Sequence, residues 1–86
     1  MSDTEHYHHD PLAQLVKMAN DIADYFHSEP DREVAIAGMV NHITRFWEPR
    51  MRKKMLAYFA ENKGEGLNEL AAAAIARLAE RQRAAA

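Results

Sequence analysis

Eighty-six residues, 48% apolar and 28% charged, describe one ordinary globular domain, and a chain of that size has too little core to line a deep catalytic cleft. The absence of cysteine excludes disulfides, thiolate metal ligands and a cysteine nucleophile. The formal charge of −2 hides an asymmetry: residues 1–31 carry one Lys against seven acids (−6), residues 32–63 carry seven basic residues against three acids (+4), and the remainder balances.

The opening "MSDTEHYHHD" is acidic and polar and lacks the charged-then-apolar pattern of a secretory signal. Residues 1–10 are expected to form a flexible tail. A metal role for His6, His8 and His9 is set aside, since no carboxylate–histidine spacing elsewhere completes a site. Asp10 followed by Pro11 predicts a helix start, with a side-chain acceptor at N-cap and proline at N1. From there Leu12, Leu15, Val16, Ala19, Ile22, Ala23 and Phe26 recur at spacings of three and four, while Lys17, Asn20, Asp21 and Asp24 fall largely outside the stripe.

"HSEPDRE" breaks this helix, and Pro30 with Asp31 can open the next. The second helix offers two apolar faces. One holds Val34, Ala37, Val40 and Thr44, the other Ile36, Met39, Ile43 and Phe46, which predicts a central position touched from two sides. Gly38 in its interior costs about 1 kcal/mol relative to alanine and implies a close helix–helix approach. Pro49 restricts Glu48 to extended geometry, so a corner is expected at Trp47–Glu48.

A third helix is predicted from about Arg50 to Asn62 with Met51, Met55, Leu56 and Phe59 inward, stopped by Lys63 and Gly64. Asn68 is the expected N-cap of a fourth helix, which carries Leu70, Ala74, Ile75 and Leu78 and frays over residues 81–86. No stretch alternates with period two for long enough to be a strand. The fold expected is all-α: a small bundle of about four short helices over residues 11–80, with mostly antiparallel neighbours. No uncharged apolar run approaches the roughly 18 to 20 residues that span a bilayer, and the expected location is cytoplasmic.

Catalytic patterns are missing. The three glycines are isolated at 38, 64 and 66 and cannot form a phosphate-cradling loop. The two serines, Ser2 and Ser28, fall in the tail and in a loop. Asp21 and Asp24 are one turn apart but suit a solvated helix face. No residue of the chain is therefore assigned to catalysis, cofactor binding or metal ligation.

One stretch stands out. "HITRFWEPRMRKKM" (42–55) sets two aromatic rings among five basic residues. Phe46, Ile43 and Met55 are most simply core, with Pro49 as the corner. That leaves His42, Arg45, Trp47 and Arg50, with Arg52, as a candidate partner interface, since Trp and Arg are over-represented at binding hot spots. Cations at the start of the third helix oppose its dipole and call for an acidic neighbour. Two further readings compete. Basic residues interleaved with aromatics also suit a stand-alone nucleic-acid-binding module, against which stand the acidic net charge and a pI near 6.2. The stripe Leu12–Phe26 could instead mediate a homodimer.

Three ordered blocks, "LVKMANDIADYF" (15–26), "HITRFWEPRMRKKML" (42–56) and "GLNEL" (66–70), resemble the delta subunit of the soluble, molybdenum-dependent, NAD-linked formate dehydrogenase. The carrying positions are Leu15, Val16, Met18, Ala19 and Asn20; His42, Ile43, Arg45, Phe46, Trp47, Pro49, Arg50 and Met51; and Gly66 and Leu67. One departure is Glu69, where that family often has proline. The resemblance implies a small, cofactor-free, non-catalytic subunit of a cytoplasmic, bacterial complex that oxidises formate to carbon dioxide and reduces NAD. The partner subunits are expected to carry molybdopterin guanine dinucleotide, iron–sulfur clusters and FMN. The implied role is to bind the alpha subunit and support its assembly, stability or molybdenum cofactor insertion.

Overall fold

The computed structural model describes residues 11–85, which form four helices and no strand: α1 (Pro11–Phe26), α2 (Arg32–Phe46), α3 (Pro49–Asn62) and α4 (Glu69–Ala85). The tail with its histidines and the Asp10 cap lie outside the described residues. Residues 81–85, expected to fray, are helical and exposed.

Side-chain caps set two of the helix starts. The Asp31 carboxylate accepts from the N–H groups of Glu33 at 3.0 Å and Val34 at 3.4 Å. The Asn68 amide oxygen accepts from the Ala71 N–H at 2.8 Å. Each cap gives a partner to N–H groups that the helix itself leaves unpaired. α3 begins on Pro49, whose missing N–H costs nothing there. It ends with Lys63 itself left-handed at φ 55°, one residue before the expected glycine; Gly64 and Gly66 follow at φ 79° and 90°.

Asn20 fixes the loop that these glycines make. Its side-chain amide donates to the Gly66 carbonyl at 2.9 Å, and its oxygen accepts from the Asn68 N–H at 2.8 Å. Tyr58 adds a hydroxyl bond to the Glu65 carbonyl. A residue expected outside the apolar stripe therefore ties α1 to the start of α4.

The core is one cluster, entirely apolar among the described residues. Met39, Val40 and Ile43 of α2, Met55 of α3 and Ile75 of α4 are its largest fully buried side chains. α1 contributes Leu15, Ala19 and Ala23, and α4 contributes Ala71, Ala74 and Leu78. The alanines allow close helix approach. α1 and α4 each pack on all three other helices, whereas α2 packs chiefly on α4 and then on α1. α2 is thus touched from two sides, as expected, but the central place belongs to α1 and α4. The face of α2 through Ile36, Met39 and Ile43 is inside, together with Ala35 and Val40; Val34, Ala37, Thr44 and Phe46 are exposed. Of the α1 stripe considered for a homodimer, Leu15, Ala19 and Ala23 are buried within the chain's own core.

Gly38 is where α2 meets Phe26 of α1. A Cβ at this position would lie 2.7 Å from the Phe26 ring edge, inside van der Waals contact. The ring uses the space that glycine leaves, which offsets its unfavourable helix propensity. The substitution Gly38→Ala is accordingly expected to destabilise the wild-type protein, since overpacking typically costs about 1–3 kcal/mol. In a Phe26→Leu background, which keeps an apolar contact but removes the ring edge, the same change should stabilise by up to about 1 kcal/mol. Urea unfolding of the four proteins measures this reversal of sign, and equal effects in both backgrounds would refute the contact.

Across the α2–α4 contact, Arg77 makes a two-pronged pair with Glu33, both N–O distances being 2.9 Å, and Arg32 pairs with Glu69. The hydrogen bonds from Arg77, and then its charge, hold the Glu33 carboxyl below the usual carboxylate value. A lowered folded-state pKa gives stabilisation that is complete above the unfolded-state pKa and lost as pH falls through the folded one. Glu33→Gln should therefore lower the urea midpoint at neutral pH and match wild type in strong acid. A difference that persisted unchanged into acid would exclude the ion pair as its cause.

Candidate functional site

The corner between α2 and α3 is built from backbone restrictions first. Glu48 precedes proline and is extended at φ −67°, ψ 150°, and Trp47 is extended too at φ −85°, ψ 140°. The Trp47 N–H still reaches the Ile43 carbonyl at 3.0 Å, so the helix ends without an abrupt loss of hydrogen bonding. α2 and α3 diverge from this corner and share few contacts elsewhere.

The two aromatic rings take opposite places. Trp47 is 5% exposed and belongs to the core cluster, whereas Phe46 is 68% exposed. The expectation that Phe46 fills the core is corrected, and the patch presents phenylalanine where tryptophan was expected. The reason lies in the spacing. Ile36, Val40, Ile43 and Trp47 follow one another at four, three and four residues, which carries the buried face straight into the corner. Phe46 sits at the edge of that face, on the side of His42. The His42 and Phe46 rings meet at a tilt of 40° with their centroids 4.7 Å apart, and the Arg45 guanidinium is 6.0 Å from the Phe46 centroid.

Arg52 also differs from its expected place. Its guanidinium donates to the Trp47 carbonyl at 2.7 Å and the Thr44 carbonyl at 3.2 Å. Although carried by α3, it caps the C-terminal end of α2, where a cation is favourable. Arg50 approaches Glu48 only at 3.9 Å with both side chains exposed, a pair worth little in water. Among the described residues Arg45, Lys53 and Lys54 form no ion pair, and Asp21 is held along its own helix by Lys17 at 3.0 Å. The acidic first helix therefore does not neutralise the basic corner.

Two open grooves flank the corner along α1. One, of about 320 Å³, is lined by Gln14 and Met18 of α1 together with Glu48, Arg50, Met51 and Lys54. The other, of about 500 Å³, lies between Asp21, Ile22, Tyr25 and Phe26 of α1 and His42 and Phe46 of α2. Tyr25 is 78% exposed and sets its ring edge-on to Phe26 at 5.1 Å. Of the residues singled out in the sequence, His42, Arg45 and Arg50 thus lie on one surface, Trp47 lies beneath it, and Arg52 braces it. The large exposed rings are Phe46, expected in the core, and Tyr25, which the sequence did not single out. Tyr25 carried a signal in its position just off the apolar stripe of α1. Among the described residues no group of three His, Asp or Glu could hold a metal ion, and no helix is long and apolar enough to cross a membrane.

A family model of the NADH-dependent formate dehydrogenase delta subunit, FdsD, matches residues 14–75. The chain belongs to that family. The matched span contains the Asn20 clip, the whole corner and the Asn68 cap. We find no significant match to a curated protein or to a solved structure.

Arg52 is half-buried over the two carbonyls it caps, and hydrogen bonds to a charged group contribute about 1.5–3 kcal/mol. Arg52→Met is expected to remove about 1–2 kcal/mol of stability and Arg52→Lys less, as read from urea unfolding. A midpoint unchanged by Arg52→Met would show that water caps α2 equally well.

Proposed function

We propose that this delta subunit is a non-catalytic accessory chain that docks on the molybdenum-containing alpha subunit of the formate dehydrogenase complex and supports its assembly, stability or cofactor insertion. In this reading the redox groups, molybdopterin guanine dinucleotide, iron–sulfur clusters and FMN, belong to the partner subunits, and the complex is cytoplasmic. Docking uses the corner surface: His42, Arg45 and Arg50 make contact, and Trp47 and Arg52 hold them in place from behind.

The observation that carries the docking part is Phe46, an exposed ring with the Arg45 guanidinium 6.0 Å away, and Arg45 forms no ion pair among the described residues. Burying a phenylalanine is worth about 1.5–3 kcal/mol, which a partner seated on Phe46 would gain. The accessory part is supported by the family membership and by a described interior that is wholly apolar. Perturbed, buried titratable groups are what active sites are built around.

Arg45 and Arg50 sit on the surface and hold no helix together. The double substitution Arg45→Glu with Arg50→Glu should leave the circular-dichroism spectrum of the pure chain helical and abolish co-purification with the alpha subunit. Full-yield co-purification of the double variant would place the interface elsewhere.

A further inference from the structure

The two grooves are consecutive along one wall. Met18 lines the first, and Ile22 and Tyr25, four and seven residues on, line the second. These positions succeed one another on a single face of α1, and seven residues of helix span about 10 Å. The opposite wall runs from His42 and Phe46 at the end of α2, past Glu48 at the corner, to Arg50, Met51 and Lys54 at the start of α3, so that it carries two cations against one acid. The floor is apolar and the two walls differ in charge. On the α1 side Asp21 is offset by Lys17. On the α2–α3 side Lys54 forms no ion pair among the described residues and Arg50 has only Glu48 at 3.9 Å, while Arg45, likewise without an ion pair, lies beside the wall, 6.0 Å from the Phe46 ring.

We propose that the two grooves form one continuous seat for an amphipathic helix of another subunit of the complex. The apolar stripe of that helix rests on Met18, Ile22, Tyr25 and Phe46, and its acidic residues face Arg45, Arg50 and Lys54. The inference rests on the docking reading above and names the kind of segment that docks. Backbone chemistry decides for a helix. An extended segment in this seat would bury N–H and C=O groups against side chains with no sheet edge to pair them, whereas a helix satisfies its own. The geometry is that of one more helix packed on a bundle, with apolar residues at i, i+3 or i+4, and i+7 reaching both grooves. Charge decides the flank, since a basic wall favours acidic residues opposite and disfavours a basic helix.

The test uses the full-length chain expressed with the other subunits, carrying the photo-cross-linking amino acid p-benzoylphenylalanine at position 25 or 46. After irradiation of the purified complex, mass spectrometry maps the attachment points. The expected result is that both positions mark one segment of a partner subunit, at sites three, four or seven residues apart, with acidic residues along one side. Exchanging those acids for lysine should restore binding to the Arg45→Glu, Arg50→Glu variant, which by itself loses about tenfold or more in affinity. Cross-links to a second copy of this chain, to a segment lacking helical spacing or to a basic one would overturn the proposal, as would an intact complex with no cross-link at either position. If the unmodified chain co-purifies with no formate dehydrogenase subunit, the docking reading itself fails and this inference with it.

Discussion

Pro49 denies Glu48 a helical backbone, and the resulting corner decides which of two adjacent rings the core receives. With Trp47 already extended, its indole closes the end of the bundle beneath the corner, and Phe46, the last helical residue, is left outside. Arg52 then reaches back across the corner to the carbonyls of Thr44 and Trp47. A cation that would be misplaced at the start of α3 becomes a well-placed cap for α2. The apolar core, the helix dipoles and the exposed surface are thus adjusted by the same five residues, 46–49 and 52. A change at the corner that disturbed one would disturb the other two.

Much of the architecture was legible because it follows from local chemistry. Proline at N1, Asp31 and Asn68 at N-caps, and spacings of three and four fixed four helices close to their observed ends. What was not legible depended on three-dimensional pairing. Spacing alone allowed either Phe46 or Trp47 to end the buried face of α2, since 3.6 residues per turn accommodates both. The position of Asn20 outside the stripe suggested solvent, yet its partners lie 46 and 48 residues further along the chain. Likewise Arg52 reads in the sequence as an interface cation, because its acceptors are carbonyls, which have no signature in a sequence. The prominence of α4 was hidden by its alanines, whose small size is what lets three helices approach it closely.

The division between brace and contact follows from burial and partners. Trp47 and Arg52 have most of their interactions within the chain, so their substitution reaches binding only through the shape of the corner. His42, Arg45, Phe46 and Tyr25 have little to do for the isolated fold, and two of them are rings left largely in water. In a domain this small such exposure carries weight. A short chain buries a modest share of its surface, and every large apolar side chain kept outside is stabilisation forgone.

That loss is sustainable only if the outward rings do something when a partner is present. A groove with an aromatic edge, an apolar floor and one basic wall has directional information that an apolar patch alone lacks: hydrophobic burial supplies affinity, and the charged wall selects the sign and orientation of what enters. The acidic α1 contributes by contrast. Had Asp21 paired across the groove with Arg45 or Arg50, the seat would be closed by the chain's own ion pairs; its bond to Lys17 along the same helix leaves Arg45 and Lys54 without an ion pair among the described residues and Arg50 with only Glu48 at 3.9 Å. The local pairing within α1 is therefore as much a part of the docking surface as the residues that face outward.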